Sequence, residues 1–175
     1  RPNGGNEILL RKTDLGHEAY RLIVEPSRIA IYAGDNAGAF YGIQSLKTLM
    51  SPAVVKAKAD SIAVPALEVN DLPRFPVREF MLDVARNFET KENVKRLIDV
   101  MALYKMNVFH FHFSDDEGWR LEIPGLPELT DVGARRGYPF QTGDRLQPSY
   151  GSGPEGTNPF GTGFYTREDF IEILR

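Results

Sequence analysis

Residues 79–113 constrain the fold most, because two short apolar runs there flank a segment of helical period. The runs are residues 79–84 and 108–113, and Thr90 stands where it would cap a helix continuing to Tyr104. Within that helix Val94, Leu97, Ile98, Met101 and Ala102 fall on one stripe. A crossover helix joining two parallel strands needs such a face to lie on the sheet. The expected unit is βαβ, with strands buried on both faces as in α/β folds. In those folds chemistry collects at the C-terminal ends of the strands, which here are Ala85-Arg86-Asn87 and Ser114-Asp115-Asp116.

Ahead of this unit the pattern is different. Residues 8–10, 19–24 and 28–32 alternate as strands, with Pro26-Ser27 forming a tight hairpin turn. Asp35 is placed to cap a helix from Asn36 to about Met50, whose Phe40, Ile43, Leu46, Leu49 and Met50 share a face and which Pro52 stops. Ile62, Val64, Leu67 and Val69 alternate in a further extended segment, and residues 70–76 are rich in turn residues. The organisation expected is a small α+β accessory domain over residues 1–72 and the first β/α units of a larger α/β domain over residues 73–175.

Residues 137–163 are dense in Gly and Pro, with Tyr138, Phe140, Tyr150 and Phe160 scattered among them. An insertion of that length at a strand end points to a loop lining a cleft. Beyond it Thr166 is an N-cap with acids in the first turn, followed by Phe170, Ile171, Ile173 and Leu174. That amphipathic helix has nothing after it to pack against, so the chain is expected to be part of something longer. The start, Arg1-Pro2-Asn3-Gly4-Gly5, has no signal-peptide core and reads as processed or trimmed.

Composition narrows the function classes. A net charge of -3 with interspersed signs gives no basic stripe for nucleic acid. No stretch approaches the roughly 20 apolar residues of a membrane helix. The absence of cysteine excludes disulfides and thiolate zinc sites.

The candidate chemistry lies at the two strand ends. Arg86 follows a strand, where its guanidinium fork can donate to hydroxyls or carboxylates; an ion pair with Asp83 or Glu89 is the structural alternative. Asp115 and Asp116 are adjacent carboxylates after a strand, each raising the other's pKa unless compensated. Either could instead cap the turn into Glu117-Gly118. His110 and His112 lie two apart and so on one side of their strand, as in metal-dependent hydrolases with a barrel fold, or else as buried, hydrogen-bonded imidazoles. Trp119 could offer a flat face to a sugar ring or simply pack the loop.

Three runs carry a family resemblance: Leu82-Asp83-Val84-Ala85-Arg86-Asn87-Phe88, Tyr104-Lys105-Met106-Asn107, and Phe109-His110-Phe111-His112-Phe113-Ser114-Asp115-Asp116-Glu117-Gly118-Trp119-Arg120. They resemble family-20 glycoside hydrolases, and the match continues through Leu121-Glu122-Ile123-Pro124 and Tyr165-Thr166-Arg167-Glu168-Asp169. Asn87 and Gly151-Ser152-Gly153-Pro154 bring it nearest the bacterial chitobiase branch, and residues 39–46 look like the small domain that precedes the barrel.

The resemblance implies a (β/α)8 TIM barrel acting as a retaining β-N-acetylhexosaminidase on terminal N-acetylglucosamine or N-acetylgalactosamine, with the substrate's acetamido carbonyl as nucleophile. It implies no cofactor and no metal, and a periplasmic or extracellular location. Its partners would be β-linked N-acetylhexosamine glycans, whether chitooligosaccharides or host glycans. Arg86 matches the arginine that holds sugar hydroxyls. Asp115 matches the aspartate supporting the catalytic acid's hydrogen-bond network, while Asp116, His112 and Trp119 are weaker matches. The Asp-Glu pair that performs acid catalysis and orients the acetamido group is expected beyond Arg175. Two alternatives remain at this stage: a metal-dependent hydrolase using His110 and His112, and a noncatalytic sugar-binding module.

Overall fold

The computed structural model describes residues 7–138, 140–149, 151 and 153–175. Two compact units emerge, one holding the chain up to Arg78 together with Met101–Asn107, the other Glu79–Val100 with Val108–Arg175.

The first unit is a four-stranded sheet with a helix on one face. Its strands are β1 (Glu7–Lys12), β2 (Tyr20–Glu25), β3 (Arg28–Ala33) and β4 (Leu67–Asp71), in the order β1-β3-β2-β4. β2 and β3 form the antiparallel hairpin that Pro26-Ser27 predicts, β4 adds antiparallel to β2, and β1 runs parallel to β3 on the other edge. Period-two alternation puts Tyr20, Leu22 and Val24 of β2 on the covered face. They pack with Ile31, Ala33, Tyr41 and Leu46 into the core.

The helix α1 (Asn36–Thr48) begins at Asp35 as expected, and of the expected face Leu46 is in the core with Ile43, Leu49 and Met50 packed against it, so that only Phe40 departs. Tyr41, Gly42 and Leu46 turn to the sheet, while Phe40 is 43% exposed. The reason is clearance: a Cβ on Gly42 would stand 2.6 Å from Ile31 Cγ2, so the helix lies close to the strands along its glycine. The apolar pattern finds Ile43, Leu46, Leu49 and Met50 but misses Tyr41, which is buried where Phe40 is exposed. Pro52 does not simply stop the helix, since it opens a short one, α2 (Pro52–Lys56).

Asp35 ties this helix to the sheet. One carboxylate oxygen accepts the Gly38 N–H at 2.8 Å, and the other lies 3.1 Å from the Glu18 N–H and 2.6 Å from His17 Nδ1. The Gly38 N–H first, then the Glu18 N–H, hold the Asp35 carboxyl below its ordinary range. A lowered folded pKa stabilises the fold above the unfolded value near 4, and the contribution fades as pH falls through that range. Asp35→Ala is therefore expected to cost about 1–2 kcal/mol near neutral pH and less in acid, as read by urea unfolding at several pH values. A cost that does not shrink in acid would contradict the cap.

The second unit contains β5 (Glu79–Asp83), most of α3 (Lys91–Leu103) and β6 (Val108–His112), with β5 and β6 parallel and Asp83 opposite His112. The predicted βαβ unit is present, with Thr90 Oγ1 accepting the Asn93 N–H at 3.3 Å. One face of the pair, with Leu82, Phe109, Phe111 and Phe113, packs against Val84, Val94, Ile98, Tyr165 and Ile173. Met81 is 52% exposed, because the described sheet is only two strands wide and its other face is uncovered. A two-residue hairpin follows, β7 (Ser114–Asp115) with β8 (Gly118–Trp119), then the short α4 (Glu128–Asp131) and finally α5 (Arg167–Ile173). The start of α5 is the predicted cap in full: Thr166 accepts from the Asp169 N–H and Asp169 accepts from the Thr166 N–H, each at 3.1 Å. No helix among the described residues is long and apolar enough to cross a membrane.

Candidate functional site

The parallel register sets the level of the site. Asp83 and His112 face one another across β5 and β6, so both chains leave the sheet at the same height. On that uncovered face, alternation places Glu79, Met81 and Asp83 beside His110 and His112. Beyond Asp83 the chain turns, and the Asp83 carboxylate accepts the Arg86 N–H at 3.1 Å. Beyond β6 the β7–β8 hairpin lifts Asp115 and Glu117 toward the same point.

Arg86 is the centre of what results. Its Nη1 donates to Asp83 Oδ2 at 2.5 Å, its Nη2 lies 2.9 Å from Asp115 Oδ2, and its Nε lies 3.5 Å from Glu117 Oε1. Asp115 Oδ2 is also 2.8 Å from His112 Nε2, and Asp115 Oδ1 accepts the Asp116 N–H at 2.8 Å. The Arg86 side chain nevertheless stays 39% exposed, so its head is reachable from solvent. One guanidinium thus sits among three carboxyl groups, those of Asp83, Asp115 and Glu117. The surplus acceptors suit a ligand that offers hydroxyl protons.

Electrostatics separates the two adjacent aspartates. The His112 hydrogen bond, followed by the Asp116 N–H, holds Asp115 well below the usual carboxylate range. Asp116 is pushed the other way, first by its hydrogen bond with Glu117 and then by Asp115. Asp83 is lowered because the Arg86 contacts outweigh the burial that would raise it. Arg86 itself is held above its ordinary value, first by Asp83.

The structure brings together Arg86, Asp115 and His112, with Asp116 joined to Asp115 and Glu117 beside them, and leaves other candidates aside. The ion-pair alternative for Arg86 is realised with Asp83 but not with Glu89, which accepts from Asn93 instead. His110 is 3.4 Å from Glu79 and half exposed, and His112 keeps 28% of its side chain exposed, so neither is the buried imidazole considered from sequence. Among the described residues the three-ligand acidic cluster is Asp115, Asp116 and Glu117, which includes neither histidine.

Trp119 points its Nε1 at the Leu121 carbonyl at 2.5 Å and meets Phe113 edge to face, packing the loop. Tyr138 and Phe160 are exposed, at 57% and 52%. Tyr150, Ser152 and the side chain of Phe140 lie outside the described residues. Sequence reasoning named Glu117 only as part of a turn and held Asp83 only as an ion-pair alternative for Arg86. Alternation along β5 was the available signal for Asp83, since it shares a face with the strand's other two outward residues.

Two family models match this chain: "Glycosyl hydrolase family 20, catalytic domain" over residues 75–175 and "Glycosyl hydrolase family 20, domain 2" over residues 2–72. Among curated relatives, the N,N'-diacetylchitobiase of Vibrio harveyi is 48% identical over 157 residues, covering 90% of this chain and 17% of that protein. A beta-hexosaminidase of Vibrio vulnificus is 49% identical over 156 residues, covering 89% of this chain and 18% of its own length. The chain thus spans less than a fifth of the length of these relatives. Of solved structures, a GH20 exo beta-N-acetylglucosaminidase from Vibrio harveyi in complex with N-acetylglucosamine is similar with a TM-score of 0.80 at 36% identity, over 95% of this chain and 25% of that one. A Streptomyces plicatus beta-hexosaminidase mutant in complex with its product superposes with a TM-score of 0.74 at 36% identity, over 100% of this chain and 32% of that chain. With the catalytic-domain model alone matching more than half its residues, the chain belongs to glycosyl hydrolase family 20.

Proposed function

We propose that this chain forms the substrate-binding side of a β-N-acetylhexosaminidase active site, within a protein that removes terminal N-acetylglucosamine or N-acetylgalactosamine from β-linked glycans. In this reading residues 1–72 are the accessory domain and residues 73–175 begin the catalytic barrel. The observation that carries it is the convergence of Arg86 and Asp115 at 2.9 Å on adjacent strand tips, in a chain of this family. Residues on separate faces of the sheet would not support it.

Arg86 donates to hydroxyls of the terminal sugar, remote from the bond that breaks. Asp83, Asp115 and Glu117 hold its fork in place and leave carboxylate oxygens to accept hydroxyl protons. Binding energy gathered there orients the ring, so that its own acetamido carbonyl can attack the anomeric carbon while an acid elsewhere protonates the leaving oxygen. Asp115, joined to His112, supports that acid's hydrogen-bond network. The Asp-Glu pair doing the acid chemistry lies on a later barrel strand, beyond Arg175. The chain's partners are chitooligosaccharides or other β-linked N-acetylhexosamine glycans, met outside the cytoplasm.

The full-length protein is expected to hydrolyse p-nitrophenyl N-acetyl-β-glucosaminide and its galacto epimer, and the isolated 175-residue chain is expected to turn over neither. Inactivity of the full-length protein on both would overturn the function. Turnover by the isolated chain would overturn the placement of the acid.

A further inference from the structure

Three consecutive peptide carbonyls lead into and through the Arg86 position, and each accepts from a buried guanidinium. Arg120 donates from Nε to the Val84 carbonyl and from Nη2 to the Ala85 carbonyl, both at 2.9 Å. Arg136 donates from Nη2 to the carbonyl of Arg86 itself. Both arginines are 0% exposed.

Further bonds of theirs tie in separate stretches of chain. Arg120 Nη1 reaches the carbonyls of Ala134 and Gly163, each at 3.0 Å, and Arg136 Nη1 reaches that of Glu117 at 3.2 Å. Arg120 also lies over the Phe88 ring at 5.7 Å. Gly118 leaves room for it, since a Cβ there would stand 3.0 Å from Arg120 Cζ and 2.6 Å from the Ala85 carbonyl oxygen.

Burying a guanidinium is costly, and an apolar side chain of similar volume commonly serves packing as well or better. What a guanidinium adds is a rigid fork that fixes several acceptors at once. Here the acceptors are the peptide planes that set the direction of the Arg86 Cα–Cβ bond. The far end of the same side chain is held by Asp83 and Asp115. A long, freely rotating side chain is thereby fixed at both ends before a ligand arrives, which lowers the ordering cost of binding.

We propose that Arg120 and Arg136 are positioning residues for Arg86, clamping carbonyls 84–86 so that the sugar-binding guanidinium is presented in place. This rests on the reading of Arg86 as the hydroxyl-binding arginine. A lysine could keep the charge but not the fork, so Arg136→Lys should misplace Arg86 without removing it.

The test is a double-mutant cycle in the full-length protein with p-nitrophenyl N-acetyl-β-glucosaminide. Arg136→Lys is expected to lower kcat/KM about 10- to 100-fold when Arg86 is present, mostly through a higher KM. With Arg86→Ala already in place the further loss should be under about twofold. A merely structural role would lower the active fraction, so kcat would fall at constant KM and by the same factor in both backgrounds. That outcome overturns the proposal. Should Arg136→Lys not fold, Arg136→Gln, which keeps a single amide donor, runs the same cycle, and failure of both to fold also overturns it. An inactive wild-type protein refutes the functional reading instead, so the two failures are distinguishable.

Discussion

Arg86→Ala in the full-length protein is expected to lower kcat/KM for N-acetylhexosaminides by about 10³-fold, or about 4 kcal/mol of transition-state binding. The loss has two sources. Removing the guanidinium takes away the donors that would grip the sugar hydroxyls, and it leaves Asp83, Asp115 and Glu117 facing one another without the cation between them. Both KM and kcat should suffer, because binding far from the scissile bond also orients the ring for attack. Arg86→Lys should recover little, since a point charge cannot address Asp83, Asp115 and Glu117 together as the fork does. Steady-state kinetics decide the matter: unchanged values for the alanine variant would make Arg86 an ion-pair residue and nothing more.

Asp115→Asn carries the second large effect, about 10²-fold in kcat/KM. The substitution keeps shape but removes the charge that both Arg86 and His112 address. The pH dependence of this loss is informative. Because His112 and the Asp116 N–H hold the Asp115 carboxyl far below ordinary, it stays ionised throughout the working range. The ratio of wild-type to variant activity should therefore be flat from about pH 5 to pH 8. A ratio collapsing toward one near pH 5 would mean that Asp115 is protonated there, contradicting the hydrogen bonding described above.

What sequence could supply here depends on the range over which each signal acts. The βαβ unit, the β2–β3 hairpin and the caps at Asp35 and Thr166 rest on periodicity and residue chemistry within a few positions. They were legible for that reason. The burial of Tyr41 in place of Phe40 on α1 was not, because it depends on how closely Gly42 lets the helix approach Ile31, a distance no local pattern encodes. Arg86 and Asp115 were found from their place at strand ends and from the family motif. Their meeting also requires the β5–β6 register and the β7–β8 hairpin. Arg120 and Arg136 were invisible as a pair. One lies inside a motif and the other before a loop, and only the folded chain sends both to the carbonyls beside Arg86.

The two sides of β6 and the residue after it have unlike chemistry, phenyl rings inward at 109, 111 and 113 and imidazoles outward at 110 and 112. Odd and even positions therefore cannot be exchanged: a one-residue insertion in the turn at 104–107 would thrust imidazoles among Val94, Ile98 and Tyr165 and set rings where Asp115 seeks its partner. Natural length variation in this family should accordingly avoid that connection and accumulate in the Gly- and Pro-rich stretch after Gly137, whose described residues form no strand that has to stay in phase.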